Sequence, residues 1–279
     1  MIVNIIKKLV PSWAKKTLRQ LIQSTPSAKK KKLIQKIQKE EQGKKIYKMV
    51  NNIYGSQELV VLNGPFKGMR YIDASNGSQL LPKLVGSYEE PIHKWVYEII
   101  QKGEYTTVID VGCAEGYYAV GLALATKSKP QIFAFDIDKY ALENAKRLAE
   151  INGVSGTIYF SDQFNSSIVH KIYGANPKTK TLVFMDVEGA ELDLINTIKD
   201  PAILRCDVLV ELHDCFYPGL TEKIIEYFQK SHYLEIVVDY PWRANNYFLN
   251  GKDFNKENEQ FLFDEKRPMA MRWMYAKAK

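Results

Sequence analysis

VIDVGCAEGYYAVGLA, residues 108–123, is the stretch from which the rest of the sequence is read. It opens on a short apolar run carrying one acid, Asp110, passes through a loop with Gly112 and Gly116, and continues into apolar residues long enough for a helix. Strand, glycine loop and helix, in that order, is how a parallel α/β sheet builds a ligand site. Glycine serves where a ligand approaches the backbone with no Cβ in the way. The helix N-terminus behind it offers unpaired N–H groups and a partial positive charge. From residue 106 onward the chain keeps alternating. Strands are expected at 107–111, 131–136, 157–160, 181–186, 207–212, 233–239 and 269–276, and helices at 115–126, 139–151, 189–198 and 219–230. The pattern predicts the α/β class, a Rossmann-like and mainly parallel sheet with helices on both faces.

The glycine spacing narrows the ligand. A dinucleotide loop reads G-x-G-x-x-G, which fails here because Ala114 and Tyr117 stand at the second and third glycine positions. G-x-x-x-G with an acid two residues ahead suits S-adenosylmethionine, which has no pyrophosphate to cradle and an ammonium that an acid can meet. Asp136 lies 20 residues past Gly116 at the end of the second strand, where a carboxylate accepts from ribose hydroxyls. Asp162, after the third strand, is placed for the adenine amino group.

Gly86-Ser87-Tyr88-Glu89, then Asp110-Val111-Gly112-Cys113-Ala114-Glu115-Gly116-Tyr117, Asp136, and Asp186-Val187-Glu188-Gly189-Ala190-Glu191 follow one another along the chain. On these motifs residues 84–279 resemble the class I S-adenosylmethionine-dependent methyltransferases, in particular the FkbM-like family. The resemblance implies a seven-stranded sheet with a reversed last strand, S-adenosylmethionine as cofactor, and O-methylation of sugars or small molecules. The departure is Cys113-Ala114-Glu115, where the family carries Ala, Asn and an apolar residue; the glycines survive and the family's asparagine contact does not. The expected cofactor-binding set is Tyr88, Glu89, Asp110, Gly112, Cys113, Gly116, Tyr117, Asp136, Ile137, Asp162 and Asp186.

Methyl transfer to a hydroxyl requires positioning and removal of a proton, by a base or a metal. The ends of the fourth and fifth strands supply both kinds of group. Asp186 and Glu188 follow one strand; Glu211 and His213, two apart and so on one face, end the other, with Asp214 next. His213 is expected as a general base, with Asp186 and Glu188 as its catalytic partners. Asp186, Glu211 and Asp214 are the expected ligands of a hard ion such as Mg²⁺. The blander alternative makes Glu188 a helix cap and His213 a packed loop residue. Trp242, Arg243, Asn245, Asn246 and Tyr247 form a stacking and hydrogen-bonding set suited to a sugar-like acceptor, with a surface loop as the other reading. Trp273 and Cys206 read as core, and Cys113 and Cys215 as structural thiols.

The composition, 46% hydrophobic and 25% charged over 279 residues, fits one large α/β domain or two small ones and excludes a disordered chain. Three cysteines without C-x-x-C spacing suggest neither a disulfide framework nor a zinc site, which points to a reducing, cytoplasmic setting. The net charge of +7 is uneven. Residues 1–48 hold fourteen Lys and Arg against two acids, a surplus of +12, while residues 49–279 hold 25 against 30, a balance of −5. The expected organisation is a basic helical arm over 1–52, a lead-in region with a hairpin (57–62 with 68–73) and a helix over 53–105, and a core over 106–279. Helices are expected in the arm at 2–10, 12–23 and 28–53, the last with a stripe of Ile46, Met49, Val50 and Ile53.

The resemblance implies a small-molecule or glycan acceptor, and the missing Asn/Asp-Pro-Pro-Tyr motif and nucleophilic-cysteine context disfavour nucleic acid. The competing readings are an RNA or protein methyltransferase docked through the arm, and a module that binds the cofactor without catalysis. Ile2, Ile5, Ile6, Leu9 and Trp13 also give the arm an amphipathic face for peripheral membrane contact, against a packed helical extension.

Overall fold

Four segments, TVIDV, QIFAF, TLVFM and DVLVEL, consist largely of β-branched, aromatic and other apolar residues and run without polar alternation, as strands covered on both faces do. They form β1 (Thr107–Val111), β2 (Gln131–Phe135), β4 (Thr181–Met185) and β5 (Asp207–Leu212). With β3 (Ile158–Ser161), β6 (His232–Asp239) and β7 (Met271–Ala278) they make one seven-stranded sheet in the order β3-β2-β1-β4-β5-β7-β6. The first five strands are parallel and β7 runs antiparallel between β5 and β6. This is the expected sheet with its reversed last strand. The computed structural model describes residues 27–164, 168–171, 180–197, 202–240, 247, 249, 251 and 261–279, with side chains from residue 39. The chain divides into two compact units, Met1–Ser56 and Gln57–Lys279.

In the first unit, α1 (Ser27–Tyr54) is one 28-residue helix in which Met49 and Ile53 of the expected stripe are buried. The helices expected at 2–10 and 12–23, with the apolar face from Ile2 to Trp13, lie outside the described residues. No helix among the described residues is long and apolar enough to cross a membrane.

In the second unit the expected hairpin forms as a short one, with the antiparallel bridge of Val60 to Arg70 flanked by Tyr71 N–H to Leu59, Val61 N–H to Met69 and Gly68 N–H to Val61. Phe66 in its loop packs on the backbone of Gly121, where a Cβ would stand 2.6 Å from the ring, and edge-on to Tyr117 and Tyr118. The sequence reading passes over α2 (Leu80–Val85), a short helix containing Pro82 that ends on left-handed Gly86. A 3₁₀ turn (Glu90–Ile92) leads into α3 (His93–Lys102), which buries Trp95, Val96 and Ile99. The remaining helices are α4 (Tyr117–Ala125), α5 (Lys139–Ile151), α6 (Glu191–Thr197) and α7 (Leu220–Phe228). Asp138 caps α5 by accepting from the Tyr140 N–H. Trp273 and Cys206 are fully buried, as expected.

Connections leave β1 and β4 in opposite directions across the sheet, so their carboxyl ends open a crevice. The backbone there is tight. Gly112 takes φ +86°, and a Cβ on it would lie 1.7 Å from the Asp186 carbonyl oxygen. Replacing Gly112 by Ala combines left-handed strain with overpacking against backbone that cannot yield, so we expect a loss of about 2–5 kcal/mol. Urea unfolding measures it; an unchanged midpoint would show that the close approach is not fixed.

Candidate functional site

The crevice is a cavity of about 750 Å³ at the carboxyl ends of β1, β2 and β4. Of the expected site residues, Tyr88, Asp110, Gly112, Cys113, Tyr117, Asp136, Ile137, Asp162, Asp186 and Glu188 line it. Asp110 is the last-but-one residue of β1 and buried. Burial, reinforced by the charge of Asp136, pushes its carboxyl up to about 8. Its Oδ2 has no hydrogen-bond partner, and neither do the buried Tyr117 hydroxyl and Asp186 Oδ1. Three orphaned polar atoms on the walls of one cavity fit a ligand that supplies the missing partners.

Asp136 shapes the loop beside it. Its Oδ2 accepts from the Ala114 N–H at 2.8 Å and its Oδ1 from the Asp138 N–H at 2.8 Å. A carboxylate has further lone pairs, so both oxygens can still accept from a ligand. Ile137 is 92% exposed on the cavity wall, and Asp162 pairs loosely with Lys139 at 3.4 Å. Gly116 lies behind the loop, where it precedes α4 with φ +89° and faces Ala145.

Two buried charge networks escaped the sequence reading. Glu115, 0% exposed, accepts from Lys83 Nζ at 2.5 Å, from the Tyr71 hydroxyl at 2.7 Å and from the Asn76 N–H at 2.8 Å. It pins three points of the lead-in region to the glycine loop. Arg267 sits among Glu89, Glu211, Glu265 and Asp239, with contacts of 2.9, 2.5, 3.2 and 3.6 Å. Glu89, expected at the cofactor, is instead fully buried and away from the cavity wall, held by Arg267 and the Tyr118 hydroxyl. Glu115 carried a signal as an acid inside an otherwise apolar motif; Lys83 and Arg267 carried none, because nothing local marks their partners.

The strand-four and strand-five groups converge, with changes. His213, 2% exposed, donates Nδ1–H to Glu191 Oε1 at 2.5 Å. Its Nε2 faces Glu211 at 3.3 Å, Glu188 at 3.5 Å and Asp186 at 3.6 Å. Burial alone would lower the imidazole, but the hydrogen bond to Glu191 and the facing carboxylates outweigh it and lift His213 to about 11. These surroundings favour the protonated ring, which runs against the expected general-base role. Burial raises Asp186 and Glu211 above the usual carboxylate range. Asp214 does not join them. It accepts from the Thr221 N–H and hydroxyl and from Arg272, which corrects its assignment as a metal ligand. Glu188 is not a helix cap; Glu191 accepts from the Gly189 N–H, while Glu188 is left-handed at φ 53° and exposed. Trp242, Arg243, Asn245 and Asn246 lie outside the described residues; Tyr247 is described, half-buried against Phe263.

A family model of a methyltransferase domain matches residues 102–163, the segment from the end of α3 through β3. No curated protein matches the chain significantly in sequence. Among solved structures, an rRNA methylase from Streptococcus thermophilus is similar over 68% of this chain and 97% of its own, at 14% identity and a TM-score of 0.42. A putative O-methyltransferase from Klebsiella pneumoniae is similar over 66% and 79%, at 9% identity and 0.43. An O-methyltransferase from Bacillus cereus, solved with S-adenosylhomocysteine, is similar over 64% and 78%, at 10% identity and 0.40. Likeness at this level says nothing of what this chain acts on. The domain match and the strand order together support a class I, S-adenosylmethionine-dependent methyltransferase.

Both carboxylates invite direct tests. Changing Glu115 to Gln strands the buried Lys83 ammonium and costs about 3–5 kcal/mol. Adding Lys83→Met recovers much of that loss in chemical denaturation, and equal effects of the single and double variants would refute the coupling. For Asp110, the folded chain holds its proton up to about pH 8 while the unfolded chain releases it near pH 4. Stability of the ligand-free protein therefore falls as pH rises through that window. Asp110→Asn removes the fall, so the variant melts higher than the parent at pH 8 and alike at pH 4. Parallel melting curves across that range would contradict the assignment.

Proposed function

We propose that this protein is a class I methyltransferase of the FkbM-like kind that moves a methyl group from S-adenosylmethionine to a hydroxyl of a sugar, glycan or other small metabolite. The observation that carries the reading is the set of unpartnered atoms, Asp110 Oδ2, Tyr117 OH and Asp186 Oδ1, around one cavity at the carboxyl ends of β1 and β4. Its volume falls in the range that holds a cofactor-sized molecule.

In this reading Asp110 meets the ammonium, and Asp136 accepts from the ribose hydroxyls while its backbone bonds hold the loop. Ile137 and Asp162 flank the adenine, and Gly112 lets the ligand reach the backbone. When bound, the cofactor supplies an electrophilic methyl carbon on a sulfonium. The protein's share is to place the acceptor hydroxyl and take its proton. Glu188, the exposed carboxylate at the cavity wall, and Asp186 beside it are the proton acceptors. His213, whose Nε2 faces both, acts through them as a positioning residue.

Calorimetry with S-adenosylhomocysteine and NAD tests the cofactor site. We expect binding of the first alone, with Asp136→Ala and Asp110→Asn each weakening it about 10–100-fold through loss of a charge-assisted hydrogen bond. Full affinity in Asp136→Ala would place the cofactor elsewhere. A labelled-methyl screen over sugars, sugar nucleotides and hydroxylated metabolites then tests the acceptor class. Transfer to RNA or protein and to no small hydroxyl compound would overturn that half of the reading.

A further inference from the structure

We propose that Asp186, Glu211 and His213 form a binding site for a divalent transition-metal ion of the manganese, iron or zinc type, placed at the acceptor wall of the cavity. One ligand atom from each residue lies within 4.8 Å of the other two. Atoms sharing one ion at about 2.1 Å stand about 3–4 Å apart, so small side-chain rotations close the set.

Four features of the geometry favour an ion over a mere acidic cluster. The first is the imidazole: His213 directs Nε2 at Asp186 and Glu211. The second is its other nitrogen, fixed by Glu191, itself 0% exposed. A metal-binding histidine is held in this way, by a carboxylate on its far ring nitrogen. The third is Asp186 Oδ1, buried at the site with no hydrogen-bond partner. The fourth is charge. Among the described residues, Asp186, Glu188 and Glu211 all turn a carboxylate oxygen to within 3.6 Å of the one Nε2, so negative charge converges on a single point. Arg267 engages Glu211 Oε1 and leaves Oε2 turned to the histidine.

One nitrogen with two carboxylates suits borderline ions better than Mg²⁺, which prefers oxygen alone. Because Asp186 and Glu188 line the cavity, an ion there borders the space assigned to the acceptor. What the ion does for a hydroxyl rests on the methyl-transfer reading; whether it binds does not.

The test uses the full chain stripped of metal and titrated separately with Mn²⁺, Zn²⁺ and Mg²⁺ by equilibrium dialysis. We expect one Mn²⁺ or Zn²⁺ per chain, bound at least about tenfold more tightly than Mg²⁺. Glu191→Gln should weaken that binding about 10–100-fold, and His213→Ala and Asp186→Asn should abolish it. Spin-echo modulation from one imidazole nitrogen on bound Mn²⁺ reads the wild type directly and needs no variant to fold. Absence of stoichiometric binding, no nitrogen coupling, or binding unchanged in His213→Ala overturns the site. Calorimetry with S-adenosylhomocysteine on the same samples separates the two ideas. Cofactor bound without metal refutes the ion alone, and metal bound without cofactor refutes the cofactor reading and leaves the ion standing.

Discussion

Buried carboxylates gather at the carboxyl end of this sheet and organise it. Arg267 engages several, with one guanidinium bridging Glu89 of the lead-in region, Glu211 of β5 and Glu265 of its own segment. An unpaired buried carboxylate is costly, whereas a paired one mainly dictates geometry. The lead-in region, the fifth strand and the segment before the last strand are therefore located relative to one another through a single side chain. What remains unanswered lies on the cavity side, at Asp110 and Asp186, where burial keeps the carboxyls above their usual range. On the cavity side, Asp110 and Asp186 each keep one buried oxygen without a hydrogen-bond partner.

The same logic operates one layer away, at Glu115. Its contacts with Tyr71, Asn76 and Lys83 join segments 32 to 44 residues distant in sequence. These bonds bring Asn76, Lys83 and Tyr88 to the cavity that the glycine loop opens. Phe66 against Gly121 adds apolar contact to the same junction. The buried ion pair and the ring against glycine act alongside Arg267 on Glu89 and Trp95 on Glu235 in holding the lead-in region to the sheet.

The range of these contacts explains what could be read from the sequence. The strands were legible because both faces of β1, β4 and β5 are covered, which leaves uninterrupted apolar runs. Asp110 and Glu211 stood out as acids inside them. The cofactor loop was legible because backbone proximity demands glycine at 112. Lys83 and Arg267 were not, since a long side chain reaching across the fold leaves no periodic trace near its own position. The hairpin was legible from two β-prone runs around Asn63-Gly64-Pro65, which do pair, from Leu59 with Tyr71 to Val61 with Gly68; the pairing stops at Leu62, whose N–H donates to Leu84. His213 was found together with Asp186, Glu188 and Glu211, whereas Glu191, which holds its Nδ1, was read only as part of a motif.

Ala114 occupies the position where the resemblance expects asparagine, and its φ is +46°, a left-handed conformation that asparagine adopts more readily than alanine. Alanine there costs about 1–2 kcal/mol of backbone strain. The loop nevertheless keeps its turn, because the Ala114 N–H is held by Asp136 and the next residue, Glu115, is locked by three donors. An asparagine side chain could stabilise such a turn by itself; in this chain the adjacent glutamate does so by recruiting the lead-in region. The conformation of the glycine loop then depends on the lead-in region being docked. Weakening the Lys83–Glu115 pair should disturb the cavity that this loop lines as well as the stability of the fold.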